Sequence, residues 1–149
     1  MNEVFLAGRG LASALGPDLN SALRSMGQAG ATPRRWDLPG GFAWPLYTID
    51  EHDADWTTLA QRITQRVAAE SGALAAARSG PLFLASSSLD IGAREGGGDF
   101  PDYPLFAETV AAWLDWRGPV FTVSTACTSA LNALLSARTL IRHGNFILS

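Results

Sequence analysis

The side chain best suited to chemistry in this sequence is Cys127, its one cysteine, set within "GPVFTVSTACTSALNALLSARTLIRHG" at residues 118–144. It stands between a short apolar run and a long alanine-rich segment, at a predicted strand-to-helix junction. The first N–H groups of a helix have no intrahelical partners, and the aligned peptide dipoles favour negative charge there. A cysteine so placed tends toward thiolate, the form that attacks carbonyl carbon. The small residues of "STAC" leave room for a tight turn and for a substrate carbonyl. Against this stands the reading of Cys127 as a structural core thiol, since free cysteine is among the most buried residue types. No neighbour in sequence supplies a base. His143 closes the same predicted helix, ~24 Å away at the helical rise, and His52 lies far upstream.

Other constellations point to ordinary structure. In "GRGLASALG" the first two glycines of a dinucleotide fingerprint, Gly8 and Gly10, are present, but Ser13 stands where the third belongs. A tight turn accounts for it, and no cofactor is expected. Ser86, Ser87 and Ser88 lack a nucleophile-elbow pattern and are expected to cap a loop. Asp50, Glu51, Asp53 and Asp55 around His52 do not match a calcium loop, and a solvated acidic turn before a helix is expected. The two histidines have no cysteine partners for a zinc set. The five tryptophans are not interleaved with enough basic residues for a base-stacking platform and are expected to fill the core or a subunit face.

The elements that must position Cys127 follow from periodicity and breakers. "VFLA" at 4–7 predicts a buried strand, and Leu19, Ala22, Leu23 and Met26 predict a helix over 17–26. Residues 31–41 have the composition of a loop, and "FAWPLYTI" that of an edge strand or irregular extended segment around Pro45. Trp56, Leu59, Ala60, Ile63, Val67 and Leu74 mark one apolar helical face running through Gly72. "PLFLASSS" predicts a short buried strand, 90–102 a flexible loop, and Phe106, Ala107, Val110, Ala111 and Leu114 the buried face of a helix beginning near Pro104 and stopped by Gly118 and Pro119. "VFTV" at 120–123 is a strand, 128–142 a helix, and the final "FILS" the start of a further strand. Short apolar strands alternating with amphipathic helices imply an α/β layered fold, a mostly parallel or mixed sheet covered by helices.

The chain has 149 residues, 47% of them hydrophobic, enough for one ordinary domain. A formal charge of −3 offers no electrostatic basis for nucleic acid or an anionic membrane as partner. One cysteine suits a reducing compartment, the N-terminus lacks the charge order of a signal peptide, and no apolar run is long enough to span a bilayer, so a soluble cytoplasmic chain is expected. Ending on an apolar run, the chain looks cut short.

Residues 118–144 resemble the active-site segment of the beta-ketoacyl synthases, thiolase-like condensing enzymes in which a Gly-Pro turn and a strand precede a Thr-Ala-Cys nucleophile turn and an alanine-rich helix. "VFLAGRGLASALG" and "PLFLASSS" are similar to further strands of that family. The resemblance implies a thiolase-like half-fold, with 1–149 a partial N-terminal domain truncated after the nucleophile helix. It implies that Cys127 accepts an acyl group from an acyl carrier protein or coenzyme A thioester, its own N–H helping to form the oxyanion hole. Decarboxylative condensation with a malonyl thioester would follow, in fatty-acid or polyketide synthesis, within a homodimer or heterodimer. The two histidines and the lysine that support decarboxylation in the family have no match here, and the interval between "SSS" and the helix near 104 is shorter than usual. Two classes therefore stand open: a condensing-enzyme fragment, or a non-catalytic scaffold or partner subunit retaining the half-fold.

Overall fold

The computed structural model describes residues 3–28, 30–49, 55–89, 94–98 and 102–143. Their contacts form two compact units, Gly8–Gly72 and a second made of Met1–Ala7 with Ala73–Ser149.

In the Gly8–Gly72 unit, α1 (Leu19–Met26) begins at Asp18, whose carboxylate accepts the Ser21 N–H at 2.7 Å and so satisfies one of the orphan donors of the first turn. Pro17 precedes this cap instead of opening the helix. Of the predicted apolar face only Ala22 is buried, and Leu23 and Met26 are exposed. Residues 31–41, expected as a loop, contain a strand, β1 (Arg34–Leu38), paired antiparallel with β2 (Phe42–Leu46) across Pro39, Gly40 and Gly41. The register sets Trp36 opposite Trp44 and Leu38 opposite Phe42, and these cross-strand pairs define a strand whose own composition does not. Pro45 is tolerated because each strand of a two-stranded ribbon is an edge.

Helix α2 (Trp56–Glu70) starts at Asp55, which accepts the N–H and hydroxyl of Thr58. It stops earlier than its apolar period predicts. Gly72 takes φ +79°, a left-handed conformation that ends the helix, and Leu74 belongs to a separate 3₁₀ turn, Ala73–Ala75. The stretch "GRGLASALG" packs along the C-terminal end of α2. A Cβ at Gly8 would overlap the Ser71 carbonyl and one at Gly10 the Val67 carbonyl, while Glu70 accepts the N–H groups of Leu11 and Leu19 at 2.9 and 2.7 Å. Carbonyl and carboxylate oxygens face this loop, an environment that repels a phosphate.

The other unit carries Cys127. β3 (Leu82–Ala85) pairs in parallel with β4 (Val120–Val123) in the register Leu82↔Val120 to Ala85↔Val123, and the opposed Phe83 and Phe121 rings stack at 5.2 Å. Between the strands runs α3 (Tyr103–Trp113), capped by Asp102 with Pro104 in its first turn. It packs on β4, and α4 (Ser129–Arg142) packs on β3 and β4. Phe106, Ala107, Val110, Ala111 and Leu114 are buried as predicted, joined by Leu89 and Ala133. The end of α3 comes before Gly118. Asp115 takes φ +49°, the Trp116 N–H reaches the Ala111 carbonyl at 2.8 Å and the Asp115 N–H that of Ala112 at 3.1 Å, a Schellman closure with aspartate in the glycine position. Arg78 and Arg117 pair with the Asp115 carboxylate at 3.1 and 3.5 Å, and Trp116 Nε1 donates to the Gly80 carbonyl at 2.8 Å.

Two expectations fail in this architecture. Residues 4–7 form no strand, and Phe5 and Leu6 are exposed, because an apolar run becomes a strand only when a neighbour takes its backbone groups. Among the described residues the strands form two two-stranded sheets, one antiparallel and one parallel, in place of one continuous sheet. The final "FILS" and most of the predicted loop 90–102 lie outside the described residues. Among the described residues no helix is long and apolar enough to cross a membrane.

Candidate active site

The approach to Cys127 begins where β3 and β4 start together. Gly118 lies against the backbone of Ser79 and Gly80 so closely that a Cβ would overlap both carbonyl oxygens, and the Leu82 N–H bonds the Pro119 carbonyl at 2.9 Å. This close approach explains the Gly-Pro pair ahead of the strand. β4 then delivers the chain to Ser124 and Thr125, and the Ser86 N–H extends the ladder to the Val123 carbonyl at 3.2 Å. Ser86 Oγ donates to the Ser88 carbonyl at 2.6 Å, the loop-capping role expected for this serine cluster.

The chain reverses at Ala126, whose φ of +52° is left-handed and, for a residue with a Cβ, costs about 1–2 kcal/mol. Cys127 follows within a 3₁₀ turn, Ala126–Thr128, that leads directly into α4. Cys127 is free and exposed. It makes no side-chain hydrogen bond among the described residues.

Four neighbouring side chains hold the turn. Ser129 Oγ accepts the Thr125 N–H at 2.9 Å and donates to the Ala126 carbonyl at 2.7 Å, with the Ser86 carbonyl at 3.5 Å. Thr128 Oγ1 donates to the Thr125 carbonyl at 2.8 Å, and Asn132 Nδ2 donates to the hydroxyls of Thr125 and Thr128 at 2.8 and 3.3 Å. Sequence reasoning singled out none of these four. Serine and threonine at a helix start suggest caps, yet neither Thr125 nor Thr128 makes a side-chain cap bond to its helix. The only readable signal was the density of hydroxyls in "STACTS".

Within this unit His143 is not brought to Cys127. His143 is the C-cap of α4, at the opposite end of the helix, and His52 lies outside the described residues. Of the acidic cluster, Asp55 caps α2 and 50–53 lie outside the described residues. Among the described residues no group of three or more histidine, cysteine, aspartate or glutamate side chains could hold a metal ion.

This strand, strained turn and helix fall inside a match to the family "Beta-ketoacyl synthase, N-terminal domain", which covers residues 51–147. The chain belongs to the beta-ketoacyl synthase family. Two solved structures share the fold. One is a chain of the ketosynthase (ApeO) in complex with its chain length factor (ApeC) from Xenorhabdus doucetiae, with TM-score 0.62 and 21% identity over 94% of this chain. The other is a beta-ketoacyl synthase from Burkholderia phymatum STM815, with TM-score 0.59 and 20% identity over 97% of this chain. The ketosynthase-like chain described here spans 44% of each of those chains. No curated protein matches the sequence. The α/β arrangement is thus part of the thiolase-like ketosynthase fold.

Proposed function

We propose that the chain supplies the nucleophile half of a beta-ketoacyl synthase, in which Cys127 accepts an acyl group from an acyl carrier protein or coenzyme A thioester. The observation that carries this reading is the exposed Cys127 on a left-handed turn between β4 and α4. The Cys127 sulfur attacks the thioester carbonyl carbon, and the Cys127 N–H helps to receive the oxyanion. Collapse breaks the donor's carbon–sulfur bond. The donor sulfur leaves with the electron pair and takes up the proton that Cys127 gives up, so acyl-cysteine and free carrier thiol are the products.

Condensation with a malonyl thioester needs further groups. The sequence contains no lysine, and His143 stands at the far end of α4 from Cys127, while His52 lies outside the described residues. We therefore propose that decarboxylation uses groups from outside residues 1–149; the similar ketosynthase from Xenorhabdus doucetiae is in complex with a chain length factor, which makes a second subunit a further expectation here. A non-catalytic scaffold or partner subunit is the second reading, favoured by the absence of any side-chain hydrogen bond to Cys127 among the described residues.

Incubation with a medium-chain acyl coenzyme A, read by intact mass, distinguishes the two. The acyl adduct is expected on the native chain and not on Cys127→Ala, with no carbon dioxide released from a malonyl thioester. An unmodified native chain refutes acyl transfer and leaves the scaffold reading. Carbon dioxide release that depends on Cys127 refutes the assignment of decarboxylation to groups outside residues 1–149.

A further inference from the structure

We infer that Ser129 is a positioning residue that aims the Cys127 N–H for acyl transfer, an inference that rests on the function proposed above. Ser129 is 4% exposed and the one buried polar residue among those described, one helical turn before the buried Ala133. A hydroxyl buried there is unfavourable unless paired, and a methyl group would fill the same space without that requirement. Ser129 uses both halves of its hydroxyl on the backbone of the nucleophile turn. It accepts the Thr125 N–H at 2.9 Å, and its single proton goes to the Ala126 carbonyl at 2.7 Å; the Ser86 carbonyl, at 3.5 Å, is too distant to compete.

The second bond matters for chemistry because the Ala126 carbonyl and the Cys127 N–H belong to one peptide unit. That unit is planar and trans, so its C=O and N–H point in opposite directions. The Ser129 backbone N–H donates to the same carbonyl, and with the hydroxyl added the carbonyl is held toward Ser129, which turns the Cys127 N–H away from it. The same two bonds hold the Ser124–Thr125 and Ala126–Cys127 peptides, which bracket Thr125 and Ala126, the latter at φ +52°. An alanine without such a clamp favours negative φ, and the relaxation would rotate the peptide that carries the proposed oxyanion donor. Thr128 Oγ1 holds the Thr125 carbonyl, on the peptide that precedes Ala126, and Asn132 holds the Thr125 and Thr128 hydroxyls, but both act from exposed positions, where water can replace them.

The test compares two reactions at the same sulfur. In Ser129→Ala, acylation by a medium-chain acyl coenzyme A is expected to slow about 10- to 100-fold, the effect of a displaced oxyanion donor. Alkylation by iodoacetamide forms no oxyanion and is expected to change less than about threefold. Ser129→Thr keeps the hydroxyl and is expected to recover acylation to within about threefold of the native rate. Equal losses in both reactions, an unchanged acylation rate in Ser129→Ala, or no recovery in Ser129→Thr would overturn the inference. Amide exchange on the native chain decides the case even where Ser129→Ala does not fold: the Thr125 N–H must exchange at least about tenfold more slowly than that of Cys127, and equal rates overturn the clamp. A native chain that is alkylated but never acylated refutes the proposed function and, with it, this role. Native acylation matched by Ser129→Ala refutes the role of Ser129 alone.

Discussion

Gly118→Ala is the substitution by which the close start of β3 and β4 can be measured. An added Cβ would overlap the carbonyl oxygens of both Ser79 and Gly80, backbone atoms that cannot rotate aside as a flexible side chain would. The chain must move, and overpacking of this kind costs about 1–3 kcal/mol. Movement also weakens the bonds anchored here, the Gly118 N–H to the Arg78 carbonyl at 3.2 Å and the Leu82 N–H to the Pro119 carbonyl at 2.9 Å. Losing one net backbone hydrogen bond adds about 1 kcal/mol. Opposing this, alanine restricts the unfolded chain by about 0.4–1 kcal/mol, since Gly118 is not held at positive φ. The net destabilisation is about 2 kcal/mol, which lowers the melting temperature by roughly 8 °C in a chain of this size. Gly27→Ala is the matched control: Gly27 sits at φ −74°, and a Cβ there would lie an ordinary 3.5 Å from the Arg24 carbonyl oxygen, so the same exchange should leave the melting temperature level or slightly raised. Thermal unfolding followed by far-UV circular dichroism reads both. A Gly118→Ala melting point within 2 °C of the native one, taken as about 0.5 kcal/mol, would refute the close-approach account.

Two further perturbations follow from the turn and the helix caps. Ala126→Gly removes a left-handed cost of about 1–2 kcal/mol and adds about 0.4–1 kcal/mol of unfolded-state freedom, so the urea midpoint should rise, by up to about 1.6 kcal/mol of stability, and a fall would refute strain at this residue. The Ser21 N–H, then its hydroxyl, hold the Asp18 carboxyl below the usual range, and the Thr58 hydroxyl, then its N–H, do the same for Asp55. Depressed carboxylates stabilise fully above their unfolded value near about 3.9, and that contribution is lost as pH falls through the lower folded value. Helical signal should therefore fall below about pH 4, and an Asp18→Asn, Asp55→Asn double variant, which keeps its acceptor oxygens uncharged, should lose that acid-dependent part; parallel acid profiles of native and double variant would refute it.

What could be read from sequence, and what could not, divides by the range of the interactions involved. α3, β4 and α4 were legible because each apolar period is bounded by its own breakers, and the buried face Phe106–Leu114 needs no knowledge of its partner. Arg34–Leu38 was not legible. Its charged residues disguise a strand that exists through pairing with Phe42–Leu46, and the Pro-Gly-Gly turn between two tryptophan-bearing segments was the missed signal. "VFLA" failed in the opposite sense, for its composition suits a strand but no described neighbour receives its backbone. Gly72 could be weighed as a helix weakener from sequence, yet only its φ of +79° makes it a stop.

The same division runs through the nucleophile turn. The position of Cys127 follows from a local order of strand, small residues and helix, and that order survives in the structure. The physics that shapes the turn is not local in the same way. Ser129 is four residues from Thr125 and 43 from Ser86, yet these three meet at one hydroxyl, and nothing in the letters distinguishes this serine from an ordinary helix-start residue. A buried hydroxyl is unfavourable without partners, and a left-handed alanine is unfavourable without restraint. Placed three residues apart, each meets the other's requirement: the Ala126 carbonyl accepts the Ser129 proton, and that bond holds Ala126 in the conformation from which Cys127 is presented.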